Sequence, residues 1–206
     1  FMTVPGYGSQ RINTINVLGE MNAPGTGADL LAESIALNFD VQTERYIRLD
    51  FDAFIEIVDA VGGITVDVPS LLIDDAFPTE DYGYGTISVR FEQGWQRMNG
   101  ERALIYARTR HSDDDYRRAE RQQQVVSAVA RKLANPVYWP AVLAVLLRNT
   151  DTNLTLLDVP TIAPALVLDA GQFDRLVIDR DYIMPGENGA VPNYDLVLPW
   201  LQTRFD

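Results

Sequence analysis

The sequence contains no cysteine, one histidine (His111) and one lysine (Lys132). The first absence excludes thiol catalysis, disulfides and thiolate metal sites, and is neutral about compartment. A single histidine excludes a multi-histidine metal site. No apolar run reaches the roughly 18 residues that a membrane-spanning helix needs, and no basic-then-apolar leader precedes a small-residue cleavage site. Positive charge is scarce: 17 bases against 29 acids leave a net charge of −12. That balance argues against a general nucleic-acid binder, whose footprint is basic. There is no serine nucleophile elbow, no Walker A loop and no Rossmann glycine fingerprint. Internal repeats and low-complexity tracts are missing as well.

What is there reads as one folded domain over residues 1–206. The chain is 47% hydrophobic and 22% charged, ordinary values for a globular protein long enough to bury a core without staples. Phe1–Val4 reads as a strand and Pro5–Gly8 as a turn, so the chain opens inside an apolar strand, as a piece of a larger domain would. Asp29–Phe39 has helical spacing, and Tyr46–Phe51 alternates like a strand. Asp52–Val61 is helical and stops at Gly62-Gly63. Ile64–Val68 alternates again. Residues 70–86, with Asp74, Asp75, Glu80 and Asp81, read as a solvated acidic loop without EF-hand spacing. A strand over Ile87–Phe91 follows. Asn99 is an N-cap for the helix carrying Arg102–Tyr106. The longest helix is expected over Asp115–Ala134 and ends before Asn135-Pro136. Further helices are expected at Ala141–Leu147, Asp158–Leu168 and Asn193–Phe205, and a strand at Phe173–Ile178. Strands alternate with helices throughout, so the expected class is α/β, a layered α-β-α arrangement with a central mixed sheet flanked by helices.

The basic residues are concentrated where chemistry is expected. Residues 101–124 hold Arg102, Arg108, Arg110, Arg117, Arg118 and Arg121 against Glu101, Asp113, Asp114, Asp115 and Glu120. At about 100° per residue, Arg118 and Gln122 fall on the face of the long helix that carries Val125, Val129 and Leu133. Arg121 flanks that face and Arg117 turns toward solvent. An arginine on an inward face requires a partner. The bland alternative is a structural carboxylate, with Asp115 one turn away. The other is an anionic ligand at the helix N-terminus. Arg108 and Arg110, two apart, project to one side if that segment is extended. Asp113 and Asp114 read as helix-capping acids and His111 as a loop residue. The remaining inference is an arginine-rich cleft for a concentrated anion such as a pyrophosphate.

Four segments, in order, resemble the LytR-CpsA-Psr family. They are Arg11-Ile12-Asn13-Thr14; Val58-Asp59-Ala60-Val61-Gly62-Gly63-Ile64; the run from Gly94 to Arg110; and Asp115-Tyr116-Arg117-Arg118-Ala119-Glu120-Arg121-Gln122-Gln123. The last two are specific in combination, and the resemblance weakens after residue 150. It implies a phosphotransferase at the outer face of the bacterial membrane. Such an enzyme moves a glycopolymer from a polyprenyl-pyrophosphate carrier to a cell-wall acceptor, usually peptidoglycan. The resemblance places pyrophosphate binding on Arg108, Arg110, Arg118 and Gln122, with Arg11 as another basic contact and Arg121 as a neighbour in the same pyrophosphate-binding set. It places Asp115 near a Mg²⁺ ion and the head group. The catalytic set it implies is Arg108, Arg110, Asp115 and Arg118.

Family members carry further metal-binding aspartates and a membrane anchor ahead of the point where Phe1 stands. The expectation is therefore a chain short of its main Mg²⁺ ligands and inactive alone. Sheet edges left uncovered would favour a homodimer or strand swapping. Rival readings are a non-catalytic module binding the same lipid pyrophosphate, and a lipid pyrophosphatase with water as acceptor. Transcriptional regulation fits poorly with the acidic charge and the lack of a recognition-helix motif.

Overall fold

Apolar alternation and helix caps place most elements of the chain. A computed structural model describes residues 1–79, 85–110, 115–155, 157–158, 160–161 and 176–205. Its strands are β1 (Met2–Val4), β2 (Gly8–Gln10), β3 (Ile47–Leu49), β4 (Ile64–Val68), β5 (Leu72–Pro78), β6 (Thr86–Phe91), β7 (Gly94–Met98), β8 (Thr150–Thr152), β9 (Ile183–Gly186) and β10 (Gly189–Pro192). Its helices are α1 (Ile12–Asn22), α2 (Gly27–Phe39), α3 (Phe51–Ala60), α4 (Gly100–Arg108), α5 (Asp115–Leu133), α6 (Trp139–Asn149) and α7 (Tyr194–Phe205). The chain divides into two compact units, one of residues 1–46 and 177–206, the other of residues 47–176.

In the larger unit, Asp50 caps α3 by accepting the Ala53 N–H at 2.7 Å. Ala53, Ile57 and Val58 face inward, the i, i+4 spacing of an amphipathic helix. Gly62, at φ 74°, ends the helix in the left-handed region. β4 then alternates, with Ile64, Val66 and Val68 buried, and pairs antiparallel with β7 from Ile64↔Met98 to Val68↔Gly94. β5 pairs antiparallel with β6, with a register shift between Asp74 and Phe77. Asn99 caps α4 through its side-chain oxygen, 3.0 Å from the Arg102 N–H. Gly100 is required by close packing, because a Cβ there would collide with the Ile55 carbonyl of α3. Phe91, Met98, Tyr106, Val125, Val142 and Val145 join the β4 residues in one buried cluster.

In the smaller unit, β1 and β2 form a hairpin with Val4↔Gly8 at its turn. α1 and α2 meet where Gly19 faces Gly27, too close for any side chain. Met2, Val4 and Ile15 form its buried cluster, with Leu30, Leu31 and Phe39 against it. β9 and β10 make a second hairpin.

The α/β class holds. The single mixed sheet does not: among the described residues the strands form five two-stranded antiparallel ladders. Strands of three to seven residues, several adjacent in sequence, close as hairpins. Residues 72–78 are strand β5, and Asp74 within it is 1% exposed. The solvated-loop reading is therefore corrected there, and Glu80 and Asp81 lie outside the described residues. The bulge explains the difference, because it breaks the strict alternation that marks a strand. β2, β7, β8, β9 and β10 were also not anticipated. Of the strand expected at Phe173–Ile178, residues 176–178 carry no strand and the rest lies outside the described residues. Most of the Asp158–Leu168 helix lies outside them too.

Candidate functional site

The arginine-rich segment lies in the larger unit, at the end of α4 and the start of α5. Arg108 is the last residue of α4 and is half-buried. Its guanidinium lies over Phe51, 4.3 Å from the ring centroid, and 5.5 Å from that of Phe77. An aromatic face stabilises the cation electrostatically. Thr109 then leaves the helix with φ −52° and ψ 132°. It is fully buried, and its hydroxyl donates back to the Ile105 carbonyl at 2.8 Å. Arg110 is exposed, and its backbone N–H donates to Asp74 Oδ2 at 3.2 Å. The other Asp74 oxygen accepts the Ala76 N–H at 3.0 Å, inside the β5 bulge.

α5 contributes the second half. Arg121 is 5% exposed. Its Nε donates to the Tyr106 carbonyl at 3.2 Å and its Nη2 to the Thr109 carbonyl. Gln122 is exposed and its Nε2 stands 3.4 Å from the Ala107 carbonyl. These are carbonyls around the α4 terminus, where a helix leaves acceptors without intrahelical partners. A guanidinium there also meets the negative end of the helix dipole. Arg118 is half-buried, one helical turn before Gln122.

The inward face of α5 is thus displaced from the one projected. Arg121, Val125 and Ala128 form the buried i, i+4, i+7 stripe, while Gln122 is at the surface and Val129 is half-buried. The projection centred on Val125 and Val129; packing against α4 shifts the stripe toward Arg121. Arg117 is exposed, as projected, and pairs with Glu120 at 3.0 Å.

Arg108, Arg110, Arg118, Arg121 and Gln122 therefore all belong to one α4–α5 junction. Arg11 belongs to the other unit, exposed at the start of α1, with its guanidinium 5.4 Å from the Phe1 ring centroid. Asp115 is the first residue of α5; its side chain is outside what is described, as are His111, Asp113 and Asp114. Asp74, Phe51 and Phe77 were missed as members of the site. Asp74 had only a faint signal: Leu72 stands two residues before it at strand spacing, but the bulge puts Phe77 out of step. Phe51 had none, because its contact with Arg108 is set by tertiary packing.

Among the described residues no three His, Asp or Glu side chains are grouped to hold a metal ion. Both Asp74 oxygens already accept backbone N–H groups. Beside Arg121 a cavity of about 400 Å³ opens between the Pro69–Leu72 segment and Tyr106, Arg117 and Gln124. Its mixed charged and apolar lining is unlike a dedicated prenyl groove. No described helix is long and apolar enough to cross a membrane.

The LytR_cpsA_psr family model matches residues 1–178. Biofilm regulatory protein A of Streptococcus mutans is 30% identical over 182 residues, covering 83% of this chain and 42% of that protein. The polyisoprenyl-teichoic acid–peptidoglycan teichoic acid transferase TagU of Oceanobacillus iheyensis is 31% identical over 137 residues. That stretch is 66% of this chain and 39% of that protein. The chain spans less than half the length of either relative. Among solved structures, TagV of B. subtilis matches with a TM-score of 0.74 at 22% identity, covering 100% of this chain and 79% of that one. At that identity the likeness is one of fold.

Proposed function

The chain belongs to the LytR-CpsA-Psr family, and from that premise we propose that it forms the donor-binding part of a cell-wall glycopolymer transferase. The donor is a polyprenyl-pyrophosphate-linked glycopolymer, and the acceptor is a hydroxyl of peptidoglycan at the outer face of the membrane. The TagU relative, a teichoic acid transferase by name, supports the reaction class. One observation carries the reading: Arg108 and Arg110 flank the buried Thr109, on a segment whose backbone is held by α5 and β5. That is a prepared site for a compact anion.

In the proposed reaction the acceptor hydroxyl oxygen bonds to the phosphorus bearing the glycopolymer. The bridging P–O bond breaks with its electron pair, polyprenyl phosphate leaves, and the acceptor's hydroxyl proton passes to solvent. Arg108, Arg110 and Arg118 donate charge-assisted hydrogen bonds to phosphoryl oxygens and stabilise the charge that grows on the leaving phosphate. Gln122 adds a neutral donor, and Arg11 is the further basic contact implied by the family. Mg²⁺ belongs to the same proposal, with Asp115 as its candidate ligand. The described residues do not assemble a Mg²⁺ site, so no step is assigned to the ion.

The test is binding of geranylgeranyl pyrophosphate to the chain and to its Arg108→Ala and Arg118→Ala variants by calorimetry. Each substitution should weaken binding by about 2–5 kcal/mol, the cost of removing one charged contact to a desolvated partner. Unchanged affinity in both variants would overturn the assignment of the cleft.

A further inference from the structure

We propose that Asp74 and Arg121 are a pair of positioning residues that hold the Arg108-Thr109-Arg110 segment in its anion-binding geometry. The proposal rests on the reading of the arginine cleft given above.

A helix that ends without glycine must satisfy its last carbonyls by other means. Here no glycine follows Arg108. Thr109 answers the Ile105 carbonyl with its own N–H at 2.9 Å and its hydroxyl at 2.8 Å. Arg121 takes the next carbonyl, of Tyr106, and also that of Thr109. From the opposite side of the chain chemistry, Asp74 takes the N–H of Arg110. The segment is gripped by a cation at its carbonyls and an anion at its amide. Both gripping side chains are buried, at 5% and 1% exposure.

Burying two charged groups is costly, and a helix end alone needs neither. Terminating α4 would be served by a single glycine. Arg121 and Asp74 act instead on the residues that flank and include the two arginines. Their burial keeps water from competing for the same backbone groups, so the segment has one conformation before a ligand arrives. Fixed donors lose less entropy on capturing an anion than donors on a mobile loop. Arg121 thereby has a role different from that of Arg108 and Arg110: its guanidinium works on the backbone, and theirs on the ligand.

The test uses the full chain, geranylgeranyl pyrophosphate as probe, and circular dichroism to set an assay temperature at which every variant is folded. Asp74→Asn removes the charge and one acceptor while keeping the shape. Arg121→Lys keeps the charge but cannot reach two carbonyls with a fork of donors. Each should weaken binding by about 10- to 100-fold, the range for losing a hydrogen bond to a charged group. If Asp74 acts through Arg110, the effect of Asp74→Asn should fall to about threefold or less in an Arg110→Ala background, because coupled residues are not additive. A merely structural role would lower the melting temperature and leave the fold-change equal in both backgrounds; that result overturns the proposal. Wild-type affinity in folded Asp74→Asn and Arg121→Lys also overturns it, while a weakened Arg108→Ala leaves the cleft reading standing. If Arg108→Ala and Arg118→Ala bind as wild type, the cleft reading fails and the positioning role falls with it.

Discussion

In the larger unit, β4, β5, β6, β7, α3, α4, α5 and α6 bury apolar side chains in one cluster, and two charged side chains are sunk beside it. In the smaller unit, Met2, Val4 and Ile15 make a short cluster, and much of the tying is polar. Asn38 of α2 illustrates this. Its Oδ1 accepts from the Thr3 N–H at 3.0 Å and from the Tyr194 hydroxyl at 2.9 Å. Its Nδ2 donates to the Thr3 and Ser34 carbonyls, each at 2.7 Å. One amide thereby joins β1, α2 and α7. The contrast extends to the arginines. Arg108 is half-buried over two rings with its neighbouring backbone gripped, whereas Arg11 is exposed beside a single ring. A deep core permits buried charge and fixed donors; a shallow one leaves an arginine on the surface, where each ligand contact must order the side chain first.

Substitutions can break this contrast at either end. The largest effect is expected from Phe91→Ala. Phe91 is fully buried, stands edge-on to Tyr106 at 5.1 Å, and has the Arg102 guanidinium 4.4 Å above its ring. Truncation should cost about 3–5 kcal/mol in chemical denaturation. Hydrogen exchange should place the loss in residues 47–155. Asn38→Ala should cost less, about 1–3 kcal/mol, because it removes hydrogen bonds of modest net worth and little apolar area. Its exchange signature should fall on β1, α2 and α7. If Asn38→Ala proves as costly as Phe91→Ala, the smaller unit does not depend on a shallow core in the way described.

The parts of this contrast that sequence could reveal were the local ones. The Asn99 cap, the Ile64–Val68 alternation and the Gly62 stop are decided by neighbours in the chain, and each was legible. The arginine cluster was legible as composition, and its pairing of Arg108 with Arg110 as spacing. Which arginine sinks was not. The helical projection favours Arg118 over Arg121, and the carbonyls of α4 that claim Arg121 are contributed by another helix. Asp74 was hidden for a different reason: a bulge offsets it from Phe77, so an inward carboxylate looked like one more acid in a polar stretch. Phe51 under Arg108 is a contact between elements far apart in sequence. Tertiary partners decide each of these.

The finest probe of the smaller unit is the Tyr194 hydroxyl. Burial raises its pKa above the ordinary 10.0 by penalising the phenolate. Below that value the phenol is neutral in both folded and unfolded chains, and its hydrogen bond to Asn38 is intact. As pH rises past it, the unfolded chain gives up its proton first, so stability is lost until the pH passes the folded-state pKa. Tyr194→Phe should cost about 0.5–1.5 kcal/mol at neutral pH, through the lost hydrogen bond. The gap between wild type and variant should then close as pH climbs above 10.0, because only the wild type has this proton to lose. Melting temperatures of the two proteins across that alkaline range measure the closure. A gap constant with pH would mean that the hydroxyl is solvated, and that packing alone holds α7 at Asn38.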